Sequence, residues 1–317
     1  MKPLVARSSH GALLGCLLVL LQAPIASVTA DVISREPGHY PFVSAVYAVL
    51  PSADIDSEPS GSTLQTKENQ LAFGFVRFGS GELKFDLGLD YQYTRYVYEN
   101  IDGRNRDLHR IQMPLGFSHQ TETWSLTGFL APGLATSSNV LKDVFDRVSG
   151  DDALITGRFE ARFQGGRRIG WLAGLAHDRA FGEQKLYPVL GLTYRSDENL
   201  AFRLAYPDAA VRYALGDRHR FSLRLFPAGF EWHVLSDGLD DEFDYEVEAL
   251  RLQGVWSYRF ARSAWLDLSL GYEFDRQHRF VDDAGRQIDS PVGSQLMFSA
   301  GLRWGDGPIT YSHEVAR

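Results

Sequence analysis

Past residue 40 the chain alternates apolar and polar side chains with a period of two over almost its whole length. Between Leu83 and Tyr98 the odd positions Leu83, Phe85, Leu87, Leu89, Tyr91 and Tyr93 are apolar, while Lys84, Asp86, Gly88, Asp90, Gln92 and Thr94 are polar or minute. Successive side chains of a strand point to opposite faces, so this stretch is a strand with one greasy face and one wet one. The same code returns where Ile111, Met113, Leu115 and Phe117 alternate with Arg110, Gln112, Gly116 and Ser118. It returns again where Ile155, Phe159 and Phe163 oppose Thr156, Arg158, Glu160 and Arg162. Leu250, Leu252, Trp256, Tyr258 and Phe260 oppose Arg251, Gln253, Ser257 and Arg259, and Leu296, Phe298, Leu302 and Trp304 oppose Gln295, Ser299 and Arg303. No segment beyond Ala30 carries a long helical period, although Ser138 to Val148 reads as a short helix within a loop. The fold class is all-β, in one domain without repeat or linker.

The connections alternate in length. Tight turns fall at Gly79-Ser80-Gly81, Gln120-Thr121-Glu122, Gly165-Gly166-Arg167, Ser196 to Asn199, Gly216-Asp217-Arg218 and Ala261 to Ser263. Longer connections cover Pro51 to Lys67, Glu99 to Asn105, Ser137 to Asp151, Phe181 to Lys185, Ser236 to Phe243 and Gln277 to Val292. Short turns on one rim and long loops on the other are the mark of a transmembrane antiparallel up-and-down β-barrel of the bacterial outer membrane. The strands number about fourteen, or twelve if the two short strands within Leu200 to Leu215, joined at Pro207-Asp208, are not both spans. An even number returns both termini to the periplasm.

Alternation alone leaves open which face is wet. The polar face carries full charges (Asp86, Asp90, Arg110, Arg158, Glu160, Arg162, Arg203, Arg212, Arg224, Arg251, Arg259, Asp267, Glu273 and Arg303), which a water-filled lumen tolerates. Many strands also run to ten residues or more, the length a tilted strand needs to cross a bilayer, against about five or six in soluble proteins. Aromatics gather at strand ends: Trp124, Trp256, Tyr258, Phe260 and Trp304 near the turn rim, and Tyr91, Tyr93, Tyr272 and Phe274 near the loop rim. Two such girdles follow from the amphipathic solvation of aromatic rings at the two bilayer interfaces. The apolar face therefore meets lipid and the charged face the lumen.

The first thirty residues are an address. Lys2 and Arg7 precede the apolar run Gly11 to Leu21, Pro24 follows, and Val28-Thr29-Ala30 supplies a small-residue exit. This is a secretory signal peptide, cleaved after Ala30 and too short to anchor in a bilayer. Residues 31–41 then form a short periplasmic segment, 42–304 the barrel and 305–317 a polar tail. Cleavage removes Cys16, the sole cysteine, so no disulfide supports the mature chain. Leu13-Leu14-Gly15-Cys16 faintly resembles a lipoprotein box, but cutting there would leave an apolar terminus. The mature chain carries 30 basic and 40 acidic residues, which argues against a nucleic-acid binder. Composition excludes a polytopic helical membrane protein, which would need several runs of about 20 apolar residues each.

The stretch Tyr187 to Val234 resembles a segment of a family of uncharacterised bacterial outer-membrane β-barrel proteins, a domain family of unknown function. The residues that carry the likeness are Tyr187-Pro188, Gly191-Leu192-Thr193-Tyr194-Arg195, Ala205-Tyr206-Pro207-Asp208 and Val211-Arg212-Tyr213. Leu108-His109-Arg110 to Gly116-Phe117 and Trp124-Ser125-Leu126 to Pro132-Gly133-Leu134 match in character. The resemblance covers roughly residues 40 to 304 and implies an outer-membrane barrel without assigned activity. One departure is the C-terminus: the last strand closes at Trp304 instead of at the chain end, so Leu302-Arg303-Trp304 would serve the assembly machinery as an internal signal.

Catalytic chemistry is not legible. Ser118 with His119, and His219 with Ser222, lie on opposite strand parities, and Ser312-His313 falls in the tail, so no hydrolase constellation forms. The acidic run Asp237, Asp240, Asp241, Glu242, Asp244, Glu246 and Glu248 offers oxygen ligands without a glycine-punctuated calcium loop, and reads as a solvated outer loop linked to lipopolysaccharide through divalent ions. No cofactor, metal or nucleotide fingerprint appears. Rings of lumenal arginine would bias a pore toward anions, whereas the acids among them would knit the interior by cross-strand pairs. The expected role is a passive pore or small-solute transporter of unknown solute. A structural or surface-interaction barrel with a closed lumen is the alternative, and an outer-membrane hydrolase the weaker one.

Overall fold

A computed structural model describes residues 43–56, 61–80, 82–101, 105–165, 168–196, 199–236, 241–282 and 285–305. The signal peptide, residues 31–41, Asp237, Asp240 and the tail beyond Gly305 lie outside the described residues. Strand segments fill nearly all of the rest: β1 (Val43–Asp54), β2 (Thr63–Ser80), β3 (Leu83–Glu99), β4 (Arg106–Gln112), β5 (Leu115–Gln120) and β6 (Trp124–Ser137). Two short helices, α1 (Ser138–Lys142) and α2 (Val144–Arg147), lead into β7 (Ala153–Gln164), β8 (Ile169–Phe181), β9 (Glu183–Arg195), β10 (Leu200–Tyr206) and β11 (Ala209–Leu215). Then come β12 (His219–Pro227), β13 (Phe230–Ser236), β14 (Asp241–Ala261), β15 (Ala264–Asp282), β16 (Gln287–Val292) and β17 (Gln295–Trp304).

All 17 segments belong to one sheet. It closes where β1 meets β17, from Val43 opposite Trp304 to Val49 opposite Phe298. Three wall strands are interrupted, β4–β5 at Met113-Pro114, β12–β13 at Ala228-Gly229 and β16–β17 at Gly293-Ser294, so the barrel has fourteen strands. Closure removes the unpaired edges an open sheet would expose, which is what permits strands to cross a bilayer. The outer surface carries a belt of exposed apolar side chains, among them Phe75, Phe85, Leu130, Phe159, Trp171, Leu190, Leu223, Leu270 and Phe298. A soluble barrel would not leave such a continuous apolar surface to water.

The strands vary in length in a way that shapes the molecule. β14, β15, β2 and β3 run to 21, 19, 18 and 17 residues, well beyond the ~9–11 needed to cross a bilayer. β10 and β11 have 7 each. Where the long strands leave the apolar belt their period of two continues but its polarity inverts. On β14 the outward set changes from Phe260, Tyr258, Trp256, Leu252 and Leu250 to Glu248, Glu246, Asp244 and Glu242. The inward set changes from Arg259, Ser257, Gln253 and Arg251 to Ala249, Val247 and Tyr245, the last fully buried. β3 does the same: inward Asp86 and Asp90 give way to inward Tyr96 and Tyr98.

Beyond the belt, then, the strands build a cap of soluble character. β6 pairs with β7 only as far as Leu134 opposite Ala153, and at Thr136 its neighbour is His233 of β13, in parallel. At that height nine strands close the ring, in the order β1, β2, β3, β4, β6, β13, β14, β15, β16. A ring near eight strands is only wide enough for side chains to fill. Leu64, Tyr96, Tyr98, Leu108, Ala135, Leu154, Phe230, Trp232, Val234, Tyr245, Val247 and Val292 fill it as one buried cluster. Gly229 allows β13 to enter the ring, since a Cβ there would stand 2.5 Å from the Val247 carbonyl and 2.7 Å from that of Ala180.

The cap corrects the expected loop lengths. Much of Pro51 to Lys67, Ser236 to Phe243 and Gln277 to Val292 is strand, and the described part of the acidic run, Asp241 to Glu248, lies within β14. Phe181 to Lys185 is no loop either, because Gly182 alone, at φ 86°, turns β8 into β9. The cause is common to all four: strand pairing persists after lipid contact ends.

Candidate functional site in the barrel lumen

Three layers occupy the interior. The first is the aromatic cap. Tyr98 Oη lies 2.8 Å from Tyr245 Oη, which also reaches His278 Nδ1, and Tyr96 meets Trp232, Tyr245 and His278 edge-on. Leu64, Leu108, Leu154, Tyr245 and His278 are each 0 % exposed, and they come from opposite walls. Side chains that touch one another and no water leave no channel between them.

The second layer, beneath the cap, is ionic. Arg251 of β14 donates to Glu68 of β2 at 2.9 Å and to Glu273 of β15, while Arg276 lies 3.1 Å from Glu273. β14 and β2 are separated in the wall by β15, the β16–β17 strand and β1, so the Arg251–Glu68 pair spans part of the lumen as a chord. A second network joins β7 to the β10–β11 hairpin: Arg158 donates to Glu160 and to Asp208 at 2.8 Å, and Arg203 donates to Glu160 at 2.7 Å and Asp208 at 3.1 Å. All four side chains are buried. Charges taken out of water need such complete pairing to offset their desolvation. Arg110, Gln112, Phe129, Thr156, Asp178 and Phe230 are among the residues that line a partly open pocket at this level. Arg110 donates to Gln92 and stacks 4.7 Å over Phe230.

The third layer lies toward the short turns. Asp86, Asp90 and Asp267 are buried there, while Arg162, Arg212, Arg224, Arg259 and Arg303 keep partial exposure, as do Ser125, Thr127, Thr193 and Ser222 on the same inward faces. Arg303 grips Asp267 through two bonds of 2.6 and 2.9 Å. Arg224 lies over Phe226 at 5.0 Å. Two inward residues of this layer escaped the sequence reading: Arg220, and Trp265, which is 1 % exposed. The signal was present, because Trp265 shares the parity of Asp267.

On the outer face, Trp124, Phe260, Tyr272 and Trp304 are exposed, and Tyr91, Tyr93, Trp256, Tyr258 and Phe274 are partly so. Above the belt, His233 Nδ1 lies 3.1 Å from Asp244 and Nε2 3.7 Å from Glu242. The hydrogen bond to Asp244 holds this imidazole above its ordinary pKa, against the effect of burial. Tyr93 donates to Asp107.

Catalytic pairs do not assemble among the described residues. Ser118 stands opposite inward Thr127 whereas His119 stands opposite outward Leu83 and Leu126, and His219 faces outward against Trp256 while Ser222 faces inward. No group of three or more His, Asp or Glu among the described residues is placed to hold a metal ion.

The chain matches no protein-family model and no curated protein by sequence. Solved structures similar to it include a transporter, a channel and a porin. The toluene transporter TbuX of Ralstonia pickettii has a TM-score of 0.44 at 11 % identity, covering 89 % of this chain and 95 % of that one. The CymD monoaromatic hydrocarbon channel has a TM-score of 0.43 at 10 % identity, covering 85 % and 90 %. The KdgM porin has 0.37 at 7 % identity, covering 83 % and 99 %. The closed fourteen-strand wall with its outward apolar belt makes the protein a transmembrane β-barrel in architecture.

Proposed function

We propose that the protein is a small-solute channel of the outer membrane that rests closed. A polar chamber opens toward the periplasm, and the aromatic cap seals it from the outside. One observation carries this reading: Arg162, Arg212, Arg224, Arg259, Arg303, Ser125, Thr127, Thr193 and Ser222 of the turn-side layer keep water contact, whereas Leu64, Leu108, Leu154, Tyr245 and His278 of the cap have none. The lumen-facing set is then Asp86, Asp90, Arg110, Arg158, Glu160, Arg162, Arg203, Arg212, Arg224, Arg251, Arg259, Asp267, Glu273 and Arg303. Tyr91, Tyr93, Tyr272 and Phe274 mark the outer interface, and Trp124, Trp256, Tyr258, Phe260 and Trp304 the inner one. A signal peptide cut after Ala30 delivers the chain, the barrel assembly machinery inserts it, and the acidic outer face of β14 meets lipopolysaccharide.

The test is solute flux into liposomes. The purified barrel should pass little of a small sugar or amino acid, and Trp232→Ala combined with Tyr245→Ala should raise the flux. Heat-dependent gel mobility verifies that the variant is a folded barrel. Rapid flux through the native protein overturns the closed reading; a folded variant that remains tight overturns the channel reading. In the latter case the buried ion-pair chords favour the second reading, a structural barrel whose walls are tied together from within.

A further inference from the structure

At the turn end, strand register sets side chains of neighbouring strands in a row. Ser44 of β1 pairs with Arg303 of β17, Arg303 with Trp265 of β15, and Trp265 with Arg259 of β14. Arg220 of β12 stands opposite Ser257, one inward step along β14 from Arg259. The guanidinium carbons of Arg220, Arg259 and Arg303 lie 4.7, 5.6 and 5.7 Å from the ring centre of Trp265. Three cations thus converge on one indole; Asp267, gripped through both oxygens by Arg303, and Asp217, whose charge acts on Arg220, are carboxylates beside them.

The indole face attracts each guanidinium, but it does not remove the repulsion among three like charges at this spacing. Two neutral groups in the same row lack partners among the described residues. The Trp265 Nε1–H, on a side chain 1 % exposed, finds no acceptor among the described residues, and neither does the buried Ser44 hydroxyl find a partner. A buried donor left unmatched costs about 1–3 kcal/mol. The row therefore sets two unmatched donors beside three guanidiniums, and the group that answers both is an anionic acceptor. Guanidinium forks match carboxylate and phosphate oxygens in pairs. Arg220, Arg259 and Arg303 keep partial exposure, so solvent reaches the row.

We propose that Arg220, Arg259, Arg303 and the Trp265 N–H form an oxyanion-binding site that seats the carboxylate or phosphate group of a small solute at the periplasmic mouth. The site rests on the proposed chamber for its access alone.

Calorimetric titration of the detergent-solubilised full-length barrel with inorganic phosphate, and separately with succinate, tests it. Saturable binding is expected for at least one of the two. It should weaken by about tenfold or more in Arg259→Gln and in Trp265→Phe, the latter keeping the ring but losing the donor. Arg286→Gln, which removes a charge from the exposed pair with Asp282, should leave binding unchanged. Absence of binding by both probes, or equal loss in Arg286→Gln, overturns the site. A short-chain anionic phospholipid that binds where neither soluble anion does would assign the row to lipid and overturn the solute claim. Binding without flux through the folded Trp232→Ala, Tyr245→Ala variant would leave this site standing and the channel reading fallen; flux through that variant without binding would do the reverse.

Discussion

Arg251 shows how the interior is held. Its guanidinium sits between Glu68 and Glu273, all three buried, and its departure would leave two carboxylates facing one another out of water. Arg251→Met should therefore lower unfolding stability by about 3–5 kcal/mol, read from the shift in urea midpoint in detergent micelles; a shift near zero would mean that the pair contributes only specificity. His233 makes the opposite kind of statement, about pH. Its native pKa is raised, so the stability it contributes is complete below the unfolded value of 6.5 and is lost as pH rises through the native value. The native protein should exceed His233→Gln in stability by more at pH 6 than at pH 9, measured by paired thermal melts. At this scale the sequence is partly readable. Which face a residue takes is local information, and a period of two supplies it. That Arg158 meets Asp208, or Arg251 meets Glu68 across the lumen, is not local, and no spacing announces it.

The elements that matter most are β13 and β14. The wall strand of β12 and β13 breaks at Ala228-Gly229, and the second half turns in to neighbour β6, skipping β7 to β11. That entry depends on a residue without a Cβ, because backbone from both β14 and β8 crowds Gly229. Gly229→Val should loosen the cap without touching its side chains. Amide hydrogen exchange of residues 230–236 and 241–247 should speed up while that of β7 to β9 stays slow. Equal exchange in both forms would show that the crowding relaxes elsewhere. The acidic run looked like a loop because lipid-facing alternation ends at Leu250. Yet Glu242, Asp244, Glu246 and Glu248 alternate with Phe243, Tyr245 and Val247, so a strand of inverted polarity was legible there. The nine-strand ring was not, since nothing local marks a strand that changes neighbours partway along.

As a whole the molecule joins two solutions to the same packing problem. In the bilayer the apolar faces turn outward to lipid and the charges inward; above it the same strands turn aromatics inward and charges outward. The first solution makes a lumen and the second fills it. Fourteen strands would leave room for a passage in the membrane, and nine strands above it leave room only for side chains. In the proposed reading the closed rest state follows from strand count at two heights. It is tested most directly by single-channel recording in planar bilayers, comparing the native barrel with the folded Trp232→Ala, Tyr245→Ala variant. The account predicts a quiet baseline for the native protein and discrete conductance steps for the variant. Steady steps from the native protein would contradict it.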